Sequence, residues 1–576
     1  MTPEPRKPIE PTPRFSDGPP AFVPPPNVAA RSTGSPRGGS PPPPPVPARP
    51  ARSTNAWLAA GVAAVAALAL YTWGAAPTVL GGDSAELAAV AIRGGVPHPT
   101  GYPTFVLLGQ VAAHLLPGDP AQRITLMCAF AGAVSVGLFA LVLAELAVGT
   151  AGVLAGALLY ASTFTLWWSA IRTEVYAPAI ALAMFALWRV AVARRTLAAR
   201  DGLAAAFGIG LAMTGHLSFG PALALAGIAL VVRAARAGAL SLPLAFGALA
   251  LLALGLTPYA YLLFADANTS LTNYLQMTIE STSKQFGLTP DMLDSPLERL
   301  RFLVFGAESR PHDFLSHPRT GLINMGIAWA RLAMFEIGPL GVALALAGEG
   351  TITRTDRGAA RLLVGIALVT PLLGAAIVDH ALLQIFMMGS VIAIAALAAA
   401  ALGALFERGA AHALLATLLL AGTIALPHVL RVRAEQHPFG PAWLRMEQEG
   451  GPHIGSLVLQ LQHERSARTR AERTLAAIPE SSFVAAKWEV VMPMKYLQAA
   501  EGMRPDLVLD PWYDPAHLPR VARWQLQYSL DRHPVVVVDS IPGIVGRLTT
   551  PSRRTLADGT RLYIERRSVR IGPQSR

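Results

Sequence analysis

Residues 57–76 read WLAAGVAAVAALALYTWGAA, a run with no charged side chain, and a few positions on the chain continues Gly81-Gly82-Asp83-Ser84-Ala85-Glu86-Leu87. The first stretch decides the fold class. A helix rises about 1.5 Å per residue, so about 20 apolar residues cross the hydrocarbon core of a bilayer. The second stretch places two acids just beyond the end of that span, at the membrane surface. Carboxylates so close to hydrocarbon are costly unless they have a partner or a task.

Charge-poor runs of the same kind recur near 120–147, 150–170, 175–193, 202–217, 219–233, 239–264, 325–347, 360–378, 381–404 and 411–430. With residues 57–76 they predict about 11 transmembrane helices, hence an α-helical polytopic membrane protein. Composition agrees. Only 14% of the 576 residues are charged and 52% are hydrophobic, whereas a soluble chain carries about 25% charged residues. A water-soluble enzyme of this length is therefore not expected.

The formal charge of +11 comes almost wholly from arginine, the only lysines being Lys7, Lys284, Lys487 and Lys495. Basic residues in a membrane protein mark cytoplasmic loops, so no nucleic acid partner is expected. Arg194, Arg195 and Arg200, then Arg233 and Arg236, then Arg354, Arg357 and Arg361, then Arg408 fall in alternate short loops, on the side of the basic leader. That pattern predicts a multi-pass protein of the inner (plasma) membrane with a cytoplasmic amino terminus. An odd number of spans then puts the carboxyl-terminal region outside. Cys128 is the one cysteine, which excludes an internal disulfide. The first apolar run stands behind a long polar leader, so it reads as an uncleaved anchor.

Three regions follow. Residues 1–55 hold 18 of the 48 prolines and read as a disordered, proline-rich cytoplasmic tail, since proline resists helix and sheet. Residues 56–430 form the transmembrane domain, with outer loops at 77–119 and 265–324. Within the first loop, Ala85–Arg93 and Tyr102–Leu116 are expected as helices along the interface. Residues 431–576 form an extracytoplasmic connector, helical over 445–478, and a small α/β domain. Its expected strands are Ser482–Ala486, Leu507–Asp510 and Val535–Asp539; its helices are Val491–Gly502 and Leu518–Leu530. A terminal hairpin at Thr555–Arg566 turns on Asp558-Gly559.

Asp83 and Glu86, three residues apart, share a face at a helix start. Their spacing fits a helix cap, with Asp83 as N-cap and Glu86 reaching back, and it equally fits a positioned pair of catalytic acids. His98-Pro99-Thr100-Gly101-Tyr102-Pro103 follows. His98 and Tyr102 suit either interface anchoring or hydrogen bonding to a substrate. Arg172 and Glu174 end the third span on the same outer side and read as an ion pair or as part of the site. His216 lies between two short spans at that level, as a packing hydrogen bonder or a ligand. Asp379-His380 at another outer turn, and Arg299, Arg301 and Arg310 in the long loop, are further candidates.

Gly-Gly-Asp-Ser-x-Glu-Leu at 81–87, followed by His-Pro-x-Gly-Tyr-Pro at 98–103, resembles the first outer loop of the DUF2723 family. That family includes multi-pass protein O-mannosyltransferases of the GT-C class of membrane glycosyltransferases. Trp167-Trp168-Ser169 with Thr173-Glu174-Val175-Tyr176-Ala177 resembles its Glu-Val-Tyr-Ala element, and Gly210-Leu211 with Gly215-His216-Leu217 its Gly-Leu…His element. Lys495–Gln498 and Glu501–Asp506 are similar to the soluble domain of bacterial members. Ala85, Thr100 and Pro178 depart from the family pattern without removing a chemical group.

The resemblance implies a GT-C-like transferase that takes a sugar, mannose in the leading version, from a polyprenyl-phosphate carrier. The acceptor would be a serine or threonine of an exported protein, reached on the outer face. It assigns Asp83 as base and Glu86 as the group that orients the acceptor or acts as a second acid. His98, Tyr102, Arg172, Glu174, Tyr176 and His216 would bind donor or acceptor. Arg172 suits a phosphate through its planar fork. No cofactor is certain; a divalent metal is compatible, but no metal-ligand spacing, Gly-rich phosphate loop or nucleophile elbow stands out. Two other readings stay open: transfer of another sugar to a glycolipid or cell-wall polymer, and a proton-coupled transporter relaying through Asp83, Glu174 and His216. The acids lie at span ends, which argues against the transporter.

Overall fold

In a computed structural model the described residues are 54–267, 272–275, 293–305, 318–377, 386–436, 458–512, 533–541, 545, 548 and 551–565. They belong to one compact unit. The proline-rich tail, apart from its last two residues, lies outside them, as do the helix expected at Leu518–Leu530 and residues 437–457 of the connector.

Every expected span has a helical counterpart. These are α1 (Thr54–Gly74), α4 (Pro120–Glu145), α5 (Thr150–Ala161) with α6 (Phe164–Ala170), α7 (Tyr176–Thr196) and α8 (Ala199–Met213). There follow α9 (Gly220–Arg236), α10 (Leu242–Gly255) running on through α11 (Ala260–Ala267), α13 (Pro318–Arg331) with α14 (Gly338–Thr355), α15 (Arg357–Ile377), α16 (Met388–Phe406) and α17 (Ala410–Gln436). Among the described residues, 7 helices are long and apolar enough to cross a membrane, or up to 9 if each of two bent pairs is one span. Against the expected 11, α8 falls short at 15 residues, and α15 is not among the nine. Helix α16, rich in alanine and almost wholly buried, is the bundle's inner helix. Its small side chains let neighbouring backbones approach closely.

The two bends are a finding that hydropathy does not carry. The 150–170 run bends by 67° between α5 and α6, and the run expected at 325–347 bends by 97° between Glu336 and Gly338. A broken helix leaves backbone groups unbonded, and lipid offers them no water. The two breaks solve this together. Glu336, in the π-turn Leu332–Glu336, accepts from the Thr165 amide at 3.2 Å and from its hydroxyl, so it caps α6. His428 of α17 approaches the Ser162 carbonyl with Nε2 at 2.9 Å. The Arg431 guanidinium lies 4.8 Å over the Phe164 ring.

Within residues 77–119, α2 (Asp83–Arg93) and α3 (Pro103–Leu115) form where expected. Helix α3 leaves Leu107, Leu108, Val111 and Leu115 exposed. Helix α2 is instead buried from Ser84 to Ala91. It is covered by the carboxyl-terminal unit. There a five-stranded sheet of order β2-β1-β3-β5-β4 forms from β1 (Phe483–Lys487), β2 (Val508–Trp512), β3 (Val535–Val538), β4 (Ser552–Thr555) and β5 (Arg561–Glu565). Strand β1 pairs in parallel with β2 and β3; β5 pairs antiparallel with β3 and β4. The β4–β5 hairpin turns at Asp558-Gly559, as read. Helices α12 (Pro296–Phe305), α18 (Ser466–Ala477) and α19 (Trp488–Glu501) complete the described elements, and α19 faces α2. Val79, Ala85, Ala88 and Ala89 share one apolar cluster with Val491, Met492, Met494 and Tyr496.

Candidate active site

Gly82 aims the site. Its φ of +57° and ψ of −135° suit a residue without Cβ, and they turn the chain into α2. Gly82 is also the N-cap, with no side-chain cap bond. This corrects the reading of Asp83 as a cap: Asp83 opens the helix and Glu86 follows in the same turn, where the helix dipole favours negative charge. Neither carboxylate is spent on capping α2; Glu86 turns to His98 and Asp83 to Trp488.

Glu86 is 2% exposed and belongs to His98. One oxygen accepts from the His98 amide at 3.0 Å, and the other lies 2.5 Å from Nδ1. Burial raises the Glu86 carboxyl above its ordinary value of 4.5; His98 pulls it down and the Asp83 charge pushes it up. An acid held high in the folded state binds its proton more tightly there than when unfolded. Its contribution to stability is therefore complete below pH 4.5 and declines as pH rises through the folded value. The melting temperature of the wild type is expected to fall relative to Glu86→Gln as pH is raised from about 4.5 to 7. A difference independent of pH over that range would refute it.

Asp83 is half-buried, and its Oδ1 accepts from the Trp488 indole at 2.6 Å. Among the described residues it has no second hydrogen bond. Asp83, Glu86 and His98 each present one ligand atom, and these atoms lie within 4.8 Å of one another. The O, O, N set is one a divalent cation accepts. Here Glu86 and His98 satisfy each other.

The turn 171–175 is fixed beside α2. Ser84 donates to the Thr173 carbonyl at 2.7 Å, the Thr125 and Thr173 hydroxyls are 3.0 Å apart, and the Cys128 thiol reaches the Glu174 carbonyl at 3.3 Å. Glu174 and Arg172 pair at 2.9 Å, and the guanidinium lies 5.4 Å over the Trp168 ring. Burial raises the Glu174 carboxyl, Arg172 lowers it, and the Asp83 charge raises it again.

Aromatic rings connect the two acidic groups. His98 meets Tyr102 edge-on at 5.2 Å, Tyr102 stacks on His216 at 5.5 Å, and Tyr176 lies 5.3 Å from His216. Tyr102 adopts the left-handed φ of 38° just before Pro103, strain of the kind that gathers at functional sites. Burial first, then the nearby His98, pushes His216 down to about 3. It is therefore neutral at physiological pH. Its Nδ1 accepts from the Ser218 amide at 3.1 Å. The proton must then sit on Nε2, which leaves His216 a neutral donor.

All eight sequence candidates thus lie in one contiguous cluster. Arg299 does not join them: it pairs with Asp266, one bond at 2.6 Å. Arg301 is exposed on α12. Arg310 and Asp379-His380 lie outside the described residues. Sequence reasoning missed Trp488 and also Tyr274, whose ring stands 6.3 Å from His98 and 6.4 Å from Trp488. No local pattern marks either, because each reaches the site from a distant part of the chain.

The fold and this cluster define a multi-pass membrane protein with an acid–aromatic site at the edge of its bundle. A family model described as the Protein O-mannosyl-transferase TMEM260 N-terminal domain matches residues 83–240. That span begins at Asp83 and includes all eight residues. The chain is 37% identical over 134 residues to Protein O-mannosyl-transferase TMEM260 of Mus musculus, covering 22% of this chain and 19% of that protein. It is 38% identical over 69 residues to the Dictyostelium discoideum protein of the same description, covering 12% of this chain and 8% of that one. The chain thus spans less than a fifth of the length of these relatives. Among solved structures, ArnT from Cupriavidus metallidurans bound to undecaprenyl phosphate has a TM-score of 0.46 at 13% identity, covering 91% of this chain and 100% of that one. Its apo state has a TM-score of 0.47 at 12% identity, covering 90% and 99%.

Proposed function

We propose that this chain is a GT-C-type membrane glycosyltransferase. It moves a sugar, mannose in the first instance, from a polyprenyl-phosphate carrier to a serine or threonine hydroxyl of an exported protein on the outer face. One observation carries this reading: Asp83 has one oxygen held by an indole and the other without a hydrogen bond among the described residues, beside a buried Glu–His pair at the end of a span. The family match over residues 83–240 supports it.

In the proposed step the acceptor hydroxyl gives its proton to Asp83 while its oxygen attacks the anomeric carbon. The bond from that carbon to the phosphate oxygen breaks, and the lipid phosphate leaves with the electron pair. Charge builds on that phosphate, so donors aimed at it lower the barrier. His216 supplies a neutral N–H and Arg172 a guanidinium that Glu174 and Trp168 hold in place. The Glu86–His98 pair fixes the 98–103 loop against α2 and brings Tyr102 over His216.

The chemistry of His216 argues against the transporter reading. A histidine pushed down to about 3 does not take up a second ring proton at physiological pH, so His216 is a poor relay.

The test uses purified protein in vesicles, a serine- and threonine-bearing peptide, and labelled polyprenyl-phosphate mannose or polyprenyl-phosphate glucose. Label is expected in the peptide, more from mannose than from glucose. Label in glycolipid alone would replace the acceptor, preference for glucose would replace the sugar, and no transfer from either carrier would overturn the reading.

A further inference from the structure

The proposed mechanism uses residues that lie between Asp83 and His216, yet the one hydrogen bond to Asp83 among the described residues comes from 405 positions away. Trp488 opens α19, directly after β1, and is 7% exposed. We propose that Trp488 is a positioning residue for Asp83: its indole N–H holds one carboxylate oxygen and so presents the other to the acceptor. The proposal rests on Asp83 as base, and it makes the carboxyl-terminal unit part of the site.

Three observations support it. The first is the bond itself. At 2.6 Å it is a close contact between the indole nitrogen and Oδ1. The second is chemical. An indole only donates; it offers no lone pair to a proton or a metal. Trp488 therefore offers Asp83 a donor without competing for its proton or for a metal. A flexible aspartate would present its two oxygens interchangeably, whereas catalysis depends on holding the reacting atoms in one geometry.

The third is that the indole is itself immobilised. Helix α19 is fastened along its length to α2 and to the start of α4. The Ala121 amide donates to the Tyr496 hydroxyl at 3.0 Å, and Arg93 donates to the Ala499 carbonyl. Arg468 of α18 bridges Asp119 at 3.2 Å and Glu501 at 2.6 Å. Near Asp83, an added Cβ at Gly81 would meet the Glu489 carbonyl at 3.4 Å, so the two backbones are in close approach. The Tyr274 ring closes the remaining side, edge-on to Trp488. A residue that merely filled this interface would need its ring and not its N–H.

That distinction gives the experiment. Trp488→Phe keeps an aromatic ring and removes the donor; Trp488→His restores a ring N–H. Each full-length variant would be assayed for sugar transfer and thermal melting beside the wild type and Asp83→Asn. Trp488→Phe is expected to lower kcat about 10- to 100-fold, the worth of a hydrogen bond to a charged group. KM for the lipid-linked donor should stay within twofold, and melting should drop by a few degrees because Trp488 is buried, with the protein still folded at the assay temperature. Trp488→His should recover at least threefold of the lost kcat. If Trp488→Phe turns over within twofold of wild type, or if Trp488→His is as slow as Trp488→Phe, the positioning role is overturned. If Asp83→Asn keeps full activity, the base assignment fails and this proposal with it. An inactive Asp83→Asn beside an unaffected Trp488→Phe sinks this proposal alone.

Discussion

Asp83→Asn is expected to reduce sugar transfer by about a thousandfold in kcat while leaving the melting temperature almost unchanged, the middle of the range for loss of a positioned base. The amide has nearly the shape of the carboxylate, and its oxygen still accepts from the Trp488 indole. Gly82 provides the helix entry, and the Asp83 side chain makes no cap bond, so the first turn of α2 does not depend on it. What the variant loses is the oxygen that takes the acceptor's proton. Single-turnover transfer with saturating donor isolates that step. A rate within tenfold of wild type would remove Asp83 from the chemistry and leave Glu86 as the acid to examine.

Gly348→Ala is expected to be the most damaging single-methyl change among the membrane helices considered. Helices α14 and α16 cross with almost no space between backbones. A Cβ at Gly348 would fall inside contact distance of the Leu397 carbonyl oxygen and 2.7 Å from its carbon. Backbone cannot rotate away as a side chain can, so the helices must separate. The loss should reach about 3 kcal/mol, the upper end for overpacking. Gly350→Ala is the control: two residues on in the same helix, its Cβ would meet nothing within 4 Å. Melting in one detergent should show a large drop for the first and little change for the second. Equal melting of the two would mean that α14 and α16 do not pack as closely as described.

Much of this was legible in the residues because it depends on local properties. A charge-free run long enough to span a bilayer declares itself whatever it packs against, so each expected span has a helix. Strands β1, β2 and β3 stand where short apolar runs lie between polar turns. The acids of α2 and their followers at 98–102 and 172–176 were readable because they are short, dense motifs.

Other features were not legible, each for a physical reason. Hydropathy averages over a run and cannot register the bends at Ala161 and Ile337. Those depend on whether Glu336 and His428 arrive from other helices to bond the exposed backbone. Helix α2 has the composition of an interface helix, and it is buried because α19 happens to cover it. Capping-box spacing fits Asp83-x-x-Glu86, yet Gly82 takes the cap, which depends on a φ that no side-chain pattern displays.

The amino-acid sequence by itself therefore settled that the chain crosses the membrane repeatedly and that acidic motifs gather at one end of the bundle. These follow from hydrophobic length and the cost of charge near lipid, which neighbours in sequence already decide. Only the tertiary structure decided the pairing of Glu86 with His98, the neutral state of His216 and the hold of Trp488 on Asp83. Each of these depends on burial and on contacts between segments as much as 405 residues apart, and such contacts exist only once the helices have packed.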